Sequence, residues 1–231
     1  LPPSIHQLPP RAEPVDDPER REEKLLKIVP RNRRQVYKSR TIIDACVDQG
    51  SFLEIGKLWG RSVVTGLARL DGWPVAVLAG DPYFHGAGWT ADASHKVTRF
   101  VDMAQTFHLP VVHLIDIPGF LIGPDAEESA VIRYGARAMA SIYQSTVPWC
   151  SIIVRKAFGV AGGAHANAER YGVRAAWPSG DWGSLPVEGG VEAAYRAEIE
   201  ASDDPEAHLQ SITERLDRLR SPMRAAEDFM P

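Results

Sequence analysis

Cysteine is scarce: Cys46 and Cys150 are the two thiols in 231 residues. Two thiols cannot build a disulfide framework, and each sits among apolar neighbours, where an unreactive buried thiol is the ordinary reading. A reducing, cytoplasmic setting is expected. A basic surplus is also lacking, since 26 Lys and Arg against 30 Asp and Glu leave a net charge of -4. General nucleic-acid binders carry an excess of cations to neutralise phosphates, so that class is disfavoured. Apolar runs stay short of the roughly 18 residues that a membrane-spanning helix needs. The start, "LPPSIHQLPP", has neither the basic nor the apolar region of a secretion signal. It begins with Leu rather than Met, which fits a piece of a longer chain.

Familiar chemical signatures are missing as well. There is no G-x-x-x-x-G-K-S/T phosphate loop, and "GVAGGA" lacks the G-x-G-x-x-G spacing of a dinucleotide site. His85 and His95 stand ten apart, His108 and His113 five apart, and neither cysteine has a near ligand partner, so no metal is expected. No G-x-S-x-G elbow presents a serine nucleophile. Glu127 and Glu128 are adjacent, and neighbours on a helix point apart, so they are no ready acid and base pair.

What is present reads as one globular unit, 44% hydrophobic and 24% charged, long enough to bury a core. Residues 1–18 hold six prolines and read as an extended arm or linker. A short amphipathic helix, "PERREEKLLKIV", comes next with Leu25, Leu26 and Val29 on its apolar edge. The basic run from Lys27 to Arg40 reads as a solvated connector, with contact to a phosphate-bearing ligand or an acidic partner as the alternative. The expected division is an arm over 1–38 and a domain over 39–231.

Within that domain, "SVVTGLARL" and "WPVAVLAG" flank Asp71-Gly72, a strong hairpin signal. Helical periodicity puts Ala93, Val97, Phe100, Val101, Ala104 and Phe107 on one face, and a second helix repeats it through Val131, Tyr134, Ala138 and Ile142. The runs "LPVVHLID" and "VPWCSIIV" alternate with these helices as buried strands. The order implies an α/β layering of parallel strands crossed by helices, with its ligand site at the strands' carboxyl ends. A tail helix should face the body through Leu209, Ile212, Leu216 and Leu219.

Both "DIPGF" and "RKAFGVAGGAHA" lie at such strand ends. The second stretch concentrates glycine and alanine where a helix should begin. Backbone N–H groups there favour negative charge, either a phosphate or an oxyanion that exists only during a reaction. An oxyanion site without an obvious base calls for a proton acceptor supplied from elsewhere.

Five collinear segments carry a resemblance: "YKSRTIIDACVDQGSFLEI", "GLARLDGWPVAVLAGDP", "DASHKVTRFVDMAQTFHLPVVHLIDIPGFLIG", "VIRYGARAMASIYQSTVPWCSIIVRKAFG" and "AAWPSGDWGSLPVEGGVEAAY". From about Pro9 to Ala226 the chain resembles the C-terminal half of the carboxyltransferase (β) subunit of biotin-dependent acyl-CoA carboxylases. The combination of D-x-P-G-F, R-x-G-A and V-P-x5-R-K-A-Y/F-G is specific to that family. The resemblance implies a crotonase-like spiral of ββα units and carboxyl transfer from carboxybiotin to the α-carbon of a short acyl-CoA, with biotin itself as the base. It implies a backbone oxyanion hole at Val160 and Ala161. It places the biotin side at Asp116, Pro118, Gly119, Phe120, Gly135, Ala136, Gly159, Gly162 and Gly163. Partners implied are the N-terminal carboxyltransferase domain that binds the CoA thioester, like subunits in a homo-oligomer, the biotin carboxyl carrier and the biotin carboxylase subunit. A half-subunit of this kind is not expected to turn over alone.

Some positions depart from the family. Val160 is bulkier than the usual Gly or Ala, Gly162-Gly163 stand where a relative may carry Tyr-Asp, "AGDP" replaces A-N-Q-P, and His95 replaces an acidic residue. "NAERYGVRAAWP" is a couple of residues short. A decarboxylase component sharing the same motifs, and a catalytically degenerate assembly subunit, are the competing readings.

Overall fold

The structure is a computed structural model that describes residues 1–17, 19–165, 172–184 and 190–227. Helix α1 (Ser39–Cys46) and strand β1 (Leu53–Ile55) precede the hairpin of β2 (Val63–Leu70) and β3 (Trp73–Gly80). Asp71 and Gly72 form its turn with φ of 50° and 75°, the left-handed pair that matches strand twist. After the hairpin come α2 (Ala91–Thr106), β4 (Val111–Ile117), α3 (Pro124–Glu128), α4 (Val131–Gln144) and β5 (Trp149–Phe158). The chain continues through α5 (Gly159–Gly162), β6 (Gly172–Ala176), β7 (Asp181–Gly183), α6 (Gly190–Ala194), α7 (Arg196–Glu200), α8 (Pro205–Leu219) and α9 (Pro222–Glu227).

The strands form one sheet in the order β1-β2-β3-β4-β5-β6, with β7 also pairing β5. β1, β2 and β3 are antiparallel, and every pairing from β3 to β7 is parallel. One face is covered by α2 and α4, whose Val97, Phe100, Val101, Ala138 and Ile142 meet Val111, Ile115 and Ile117 of the sheet. The other is covered by α1 and the arm, through Tyr37, Ile42, Ile43 and Val47 against Val64, Val77 and Val154. Ordinary amphipathic patterning thus buries both sheet faces and leaves the strand ends for chemistry. Among the described residues no helix is long and apolar enough to cross a membrane.

Several expectations change. The arm is docked rather than trailing: Ala12 donates its N–H to Gly72 O at 3.0 Å and Arg20 donates to the carbonyls of Ala45 and Val47. Tyr37, placed before the domain, is 5% exposed and belongs to its core. The arm's helix is a 3-10 turn, Glu23–Lys27, which points Leu26 into solvent. The second long helix is broken at Ala130, which takes a left-handed φ of 56°. β5 runs four residues past "VPWCSIIV", through Phe158. In the tail, Leu209, Ile212 and Leu216 of α8 pack with Val191, Tyr195 and Ile199 as a separate small cluster, and Leu219 is exposed.

Candidate active site

Adjacent parallel strands deliver two loops to one edge, because Ile117 of β4 stands opposite Ala157 of β5. The loop after β4 carries Pro118, Gly119 and Phe120. Gly119 has φ of 140°, a conformation that side chains disfavour. The turn is fastened by an isolated bridge to Trp89, which donates its N–H to Gly119 O and accepts that of Leu121, each at 3.0 Å. The Phe120 ring stands edge-on to Trp89 at 6.0 Å. Its other side rests on α4, where a Cβ at Gly135 would run into the ring. Gly135 therefore serves the wall by making room for Phe120, while Ala136 is exposed on the outer side of α4.

The loop after β5 begins at Gly159 with φ of 60° and turns directly into α5. Gly163 donates its N–H to the carbonyls of Gly159 and Val160, and Ala164 to that of Ala161 at 3.1 Å. The N–H groups of Gly159, Val160 and Ala161 open this turn and have no intrahelical carbonyl to bond. Ala161 is buried, whereas Val160 is 67% exposed. The extra bulk at Val160 therefore points outward and does not distort the turn. Gly162 is required because a Cβ there would meet the backbone of Ala157. Tyr143, which the motif reading passed over, donates its hydroxyl to Gly163 O at 2.8 Å and ties α5 to α4.

Gly159, Gly162 and Gly163 line a cavity of about 480 Å³ together with His165, Trp182 and Pro222. Among the described residues its lining holds no carboxylate, and it includes Arg174. Burial pushes the His165 imidazole down to about 4, with Arg174 adding to the shift, so it is neutral at physiological pH. On β4, burial pushes His113 down to about 3, helped by His165. These surroundings, with backbone donors at a helix start, suit an anionic oxygen.

Asp116, Pro118, Gly119, Phe120, Val160 and Ala161 are not among the residues that line this cavity, and the Asp116 carboxylate is committed inside the fold, which corrects its placement on the ligand side. Its side chain is 1% exposed and its oxygens are occupied. Oδ2 accepts the Tyr37 hydroxyl at 2.9 Å and Arg155 Nε at 3.1 Å, and Oδ1 accepts the Lys156 N–H at 3.2 Å. Burial pushes the carboxyl above the usual range, against the Arg155 guanidinium and these donors, which pull it down. Burial, then the charge of Asp116, pushes the Tyr37 phenol well up. Tyr37 went unremarked in the sequence because it stands inside a basic run.

The departures are accommodated elsewhere. Asp81 of "AGDP" is buried and pairs with Arg40 at 2.6 Å, which also holds Glu54 in a two-pronged contact. His95 packs against Tyr134, with ring centres 3.9 Å apart and planes tilted by 41°. Of the short segment, residues 167–171 lie outside the described residues, as does the Ala166 end of "RKAFGVAGGAHA". Of the basic run, Lys27, Arg31, Arg34 and Lys38 are exposed; Arg31 and Arg33 line a second cavity of about 930 Å³ with Arg155 and Lys156, and Arg33 pairs with Asp181 and Asp217.

Residues 1–230 match the family model "Carboxyl transferase domain". The chain is 34% identical to the propionyl-CoA carboxylase carboxyltransferase subunit of Haloferax mediterranei, over 98% of this chain and 44% of that protein. It is also 34% identical to the methylmalonyl-CoA carboxyltransferase 12S subunit of Propionibacterium freudenreichii subsp. shermanii, over 87% and 39%. A transcarboxylase 12S crystal structure described with methylmalonyl-coenzyme A and methylmalonic acid bound superposes with a TM-score of 0.88 at 31% identity, covering 99% of this chain and 44% of that one. The β subunit of P. aeruginosa geranyl-CoA carboxylase, 22% identical with a TM-score of 0.79, shares the fold. The chain spans less than half the length of these relatives. Its crotonase-like architecture, its two strand-end loops and the match along nearly all its length converge on one conclusion: the chain belongs to the carboxyl transferase family of the acyl-CoA carboxylases and transcarboxylases.

Proposed function

We propose that this chain is the biotin-side half of a carboxyltransferase that moves a carboxyl group from carboxybiotin to the α-carbon of a short acyl-CoA. Residues 39–231 form the domain that does this, and residues 1–38 the arm that braces it. The observation that carries the reading is the turn at Gly159: β5 ends there, and α5 begins beside a cavity whose lining, among the described residues, holds no carboxylate.

When bound, biotin would supply the carboxyl group and, after CO2 has left, the nitrogen that takes the acyl-CoA α-proton. The protein's contribution is electrostatic and geometric. The N–H groups of Val160 and Ala161 would hold the ureido oxygen of bound biotin and favour negative charge there. Gly159, Gly162 and Gly163 let backbone approach closely, while Pro118, Gly119 and Phe120 wall the neighbouring side. No side-chain base is needed. The CoA thioester comes from the N-terminal carboxyltransferase half, placed against this edge by a like subunit. The biotin carboxyl carrier and biotin carboxylase complete the assembly. The transcarboxylase 12S relative, described as a hexamer with methylmalonyl-coenzyme A bound, supports an oligomer acting on a CoA ester. The outward side chain of Val160 removes the main reason for reading the subunit as degenerate.

Val160→Pro tests the donor directly. Proline is tolerated in a helix's first turn but lacks the N–H. In the full-length subunit with biotinylated carrier, kcat should fall by about 10²–10³, with acyl-CoA binding retained. Normal turnover of the variant removes Val160 from the oxyanion site. Absence of transfer to any acyl-CoA by the unaltered, assembled subunit overturns the function.

A further inference from the structure

Strand β5 has an irregularity placed where the site begins. β4 and β5 run in register to Ile115 opposite Ile153, and pairing resumes at Ile117 opposite Ala157. One β4 residue, Asp116, thus faces three on β5: Val154, Arg155 and Lys156. Two of them, Val154 and Arg155, mark a change of partner on the far side of β5. Trp149 to Ile153 pair with β6, and Lys156 to Phe158 pair with β7. Bulges bend a strand and re-aim the chain beyond them. Beyond this one stand Gly159 and the first turn of α5.

An unladdered segment needs other partners for its polar groups. Val154 O accepts the Ser179 hydroxyl at 2.7 Å, and Lys156 N–H reaches Asp116 Oδ1. Arg155 spans the gap: Nε and Nη2 hold Asp116 Oδ2 at 3.1 and 2.9 Å, and Nη1 donates to Gln35 O at 2.7 Å. Its guanidinium lies over the Tyr37 ring at 4.8 Å, and the Tyr37 hydroxyl returns to Asp116. One buried carboxylate therefore joins the arm, the end of β4 and the bulge of β5. It lies two residues before Pro118, and Arg155 lies four before Gly159. Past the bulge, the close approach of Gly162 to Ala157 leaves little slack between strand and helix.

We propose that Asp116, Arg155 and Tyr37 are positioning residues for the transfer reaction, setting where β5 ends and so where the Val160 and Ala161 N–H groups stand relative to the Pro118–Phe120 wall. This rests on the function proposed above. None of the three touches a reacting atom. Their effect is on distance and angle, to which transition-state contacts are far more sensitive than ground-state binding.

A pair of single variants with their double separates positioning from mere stability in the full-length, assembled subunit. Arg155→Met and Asp116→Asn each leave a buried group without its partner and should lower the denaturant midpoint. The double variant removes both charges, keeps an amide oxygen to accept Lys156 N–H and turns toward Tyr37 an NH2 that can donate to its hydroxyl oxygen, and should regain most of that loss. Its kcat should nonetheless stay down on the order of 10–100-fold, with KM for the acyl-CoA unchanged. Amide hydrogen exchange should speed up at Lys156 and Gly163 in the double variant and remain as before in α2. Recovery of kcat along with the midpoint, or unaltered exchange at Lys156 and Gly163, overturns the proposal. If the unaltered subunit transfers no carboxyl group, the function has failed instead. The exchange comparison then decides alone: acceleration confined to the bulge and α5 supports the clamp, and its absence removes it.

Discussion

Two aspartate–arginine pairs stand at opposite ends of the sheet, and the contact distances rank them in the wrong order. Arg11 and Asp71, at the hairpin turn, approach to 2.5 Å with side chains 41% and 63% exposed. Arg155 and Asp116, at the site end, stand at 2.9 Å with 5% and 1% exposed. The hairpin turn hardly depends on its pair. Asp48 accepts the N–H groups of Asp71 and Gly72 at 2.9 and 2.8 Å, and Arg69 donates to Gly72 O at 2.7 Å. At the other end the ladder is interrupted, and Asp116 of the buried pair takes the Lys156 N–H. The lesson is that surroundings, more than distance, decide what an ion pair does: water screens one, and removing a partner from the other strands a charge in the core.

The contrast is breakable. Arg155→Met should cost about 3–5 kcal/mol in a denaturant titration, because Asp116 is left buried without compensation. A loss near that of a surface change would end the distinction. An intermediate effect sharpens it from the uncharged side. His113 is 1% exposed and its Nδ1 has no hydrogen-bond partner. Burial holds it neutral down to about pH 3. Between there and the ordinary histidine value, near 6.5, the unfolded chain takes up a proton that the folded one refuses, so stability falls as pH falls. From pH 7 to pH 5 this one group should remove about 2 kcal/mol, and His113→Leu should flatten the slope accordingly. The smallest effect belongs to Arg11→Ala, at about 0.2–1 kcal/mol and shrinking with added salt. A larger, salt-independent loss would show that the arm and not the charge is what matters there.

How far the fold was legible depends on the range of the forces involved. The Asp71-Gly72 hairpin, the buried face of α2 and the strand and helix alternation rest on local chemistry, and the sequence displays them. The turn at Gly159 was legible for the same reason, since small residues after a strand mark it. The extension of β5 through Arg155 and Lys156 was hidden, because two basic residues look like the end of a buried strand unless the carboxylate that holds Arg155, 39 residues away, is known. Asp116 misled for the matching reason: its motif is visible, and the direction of its side chain is not. Leu219 was assigned to a helix face that continues past the point where its partners stop. The left-handed Ala130 carries no local signal, as alanine ordinarily favours continuing a helix.

A strand usually opens or closes as one piece with its neighbours. β5 is spliced: its first half shares hydrogen bonds with β6 and its second with β7, and the join falls at Val154 and Arg155. Cooperative units of opening track such pairings. The seam between two of them therefore runs through the interior of a single strand, with the turn at Gly159 on the far side of it. Excursions of the β7 side reach the turn at Gly159 through Trp182, which packs on the same core cluster as Ala157 and Ala161.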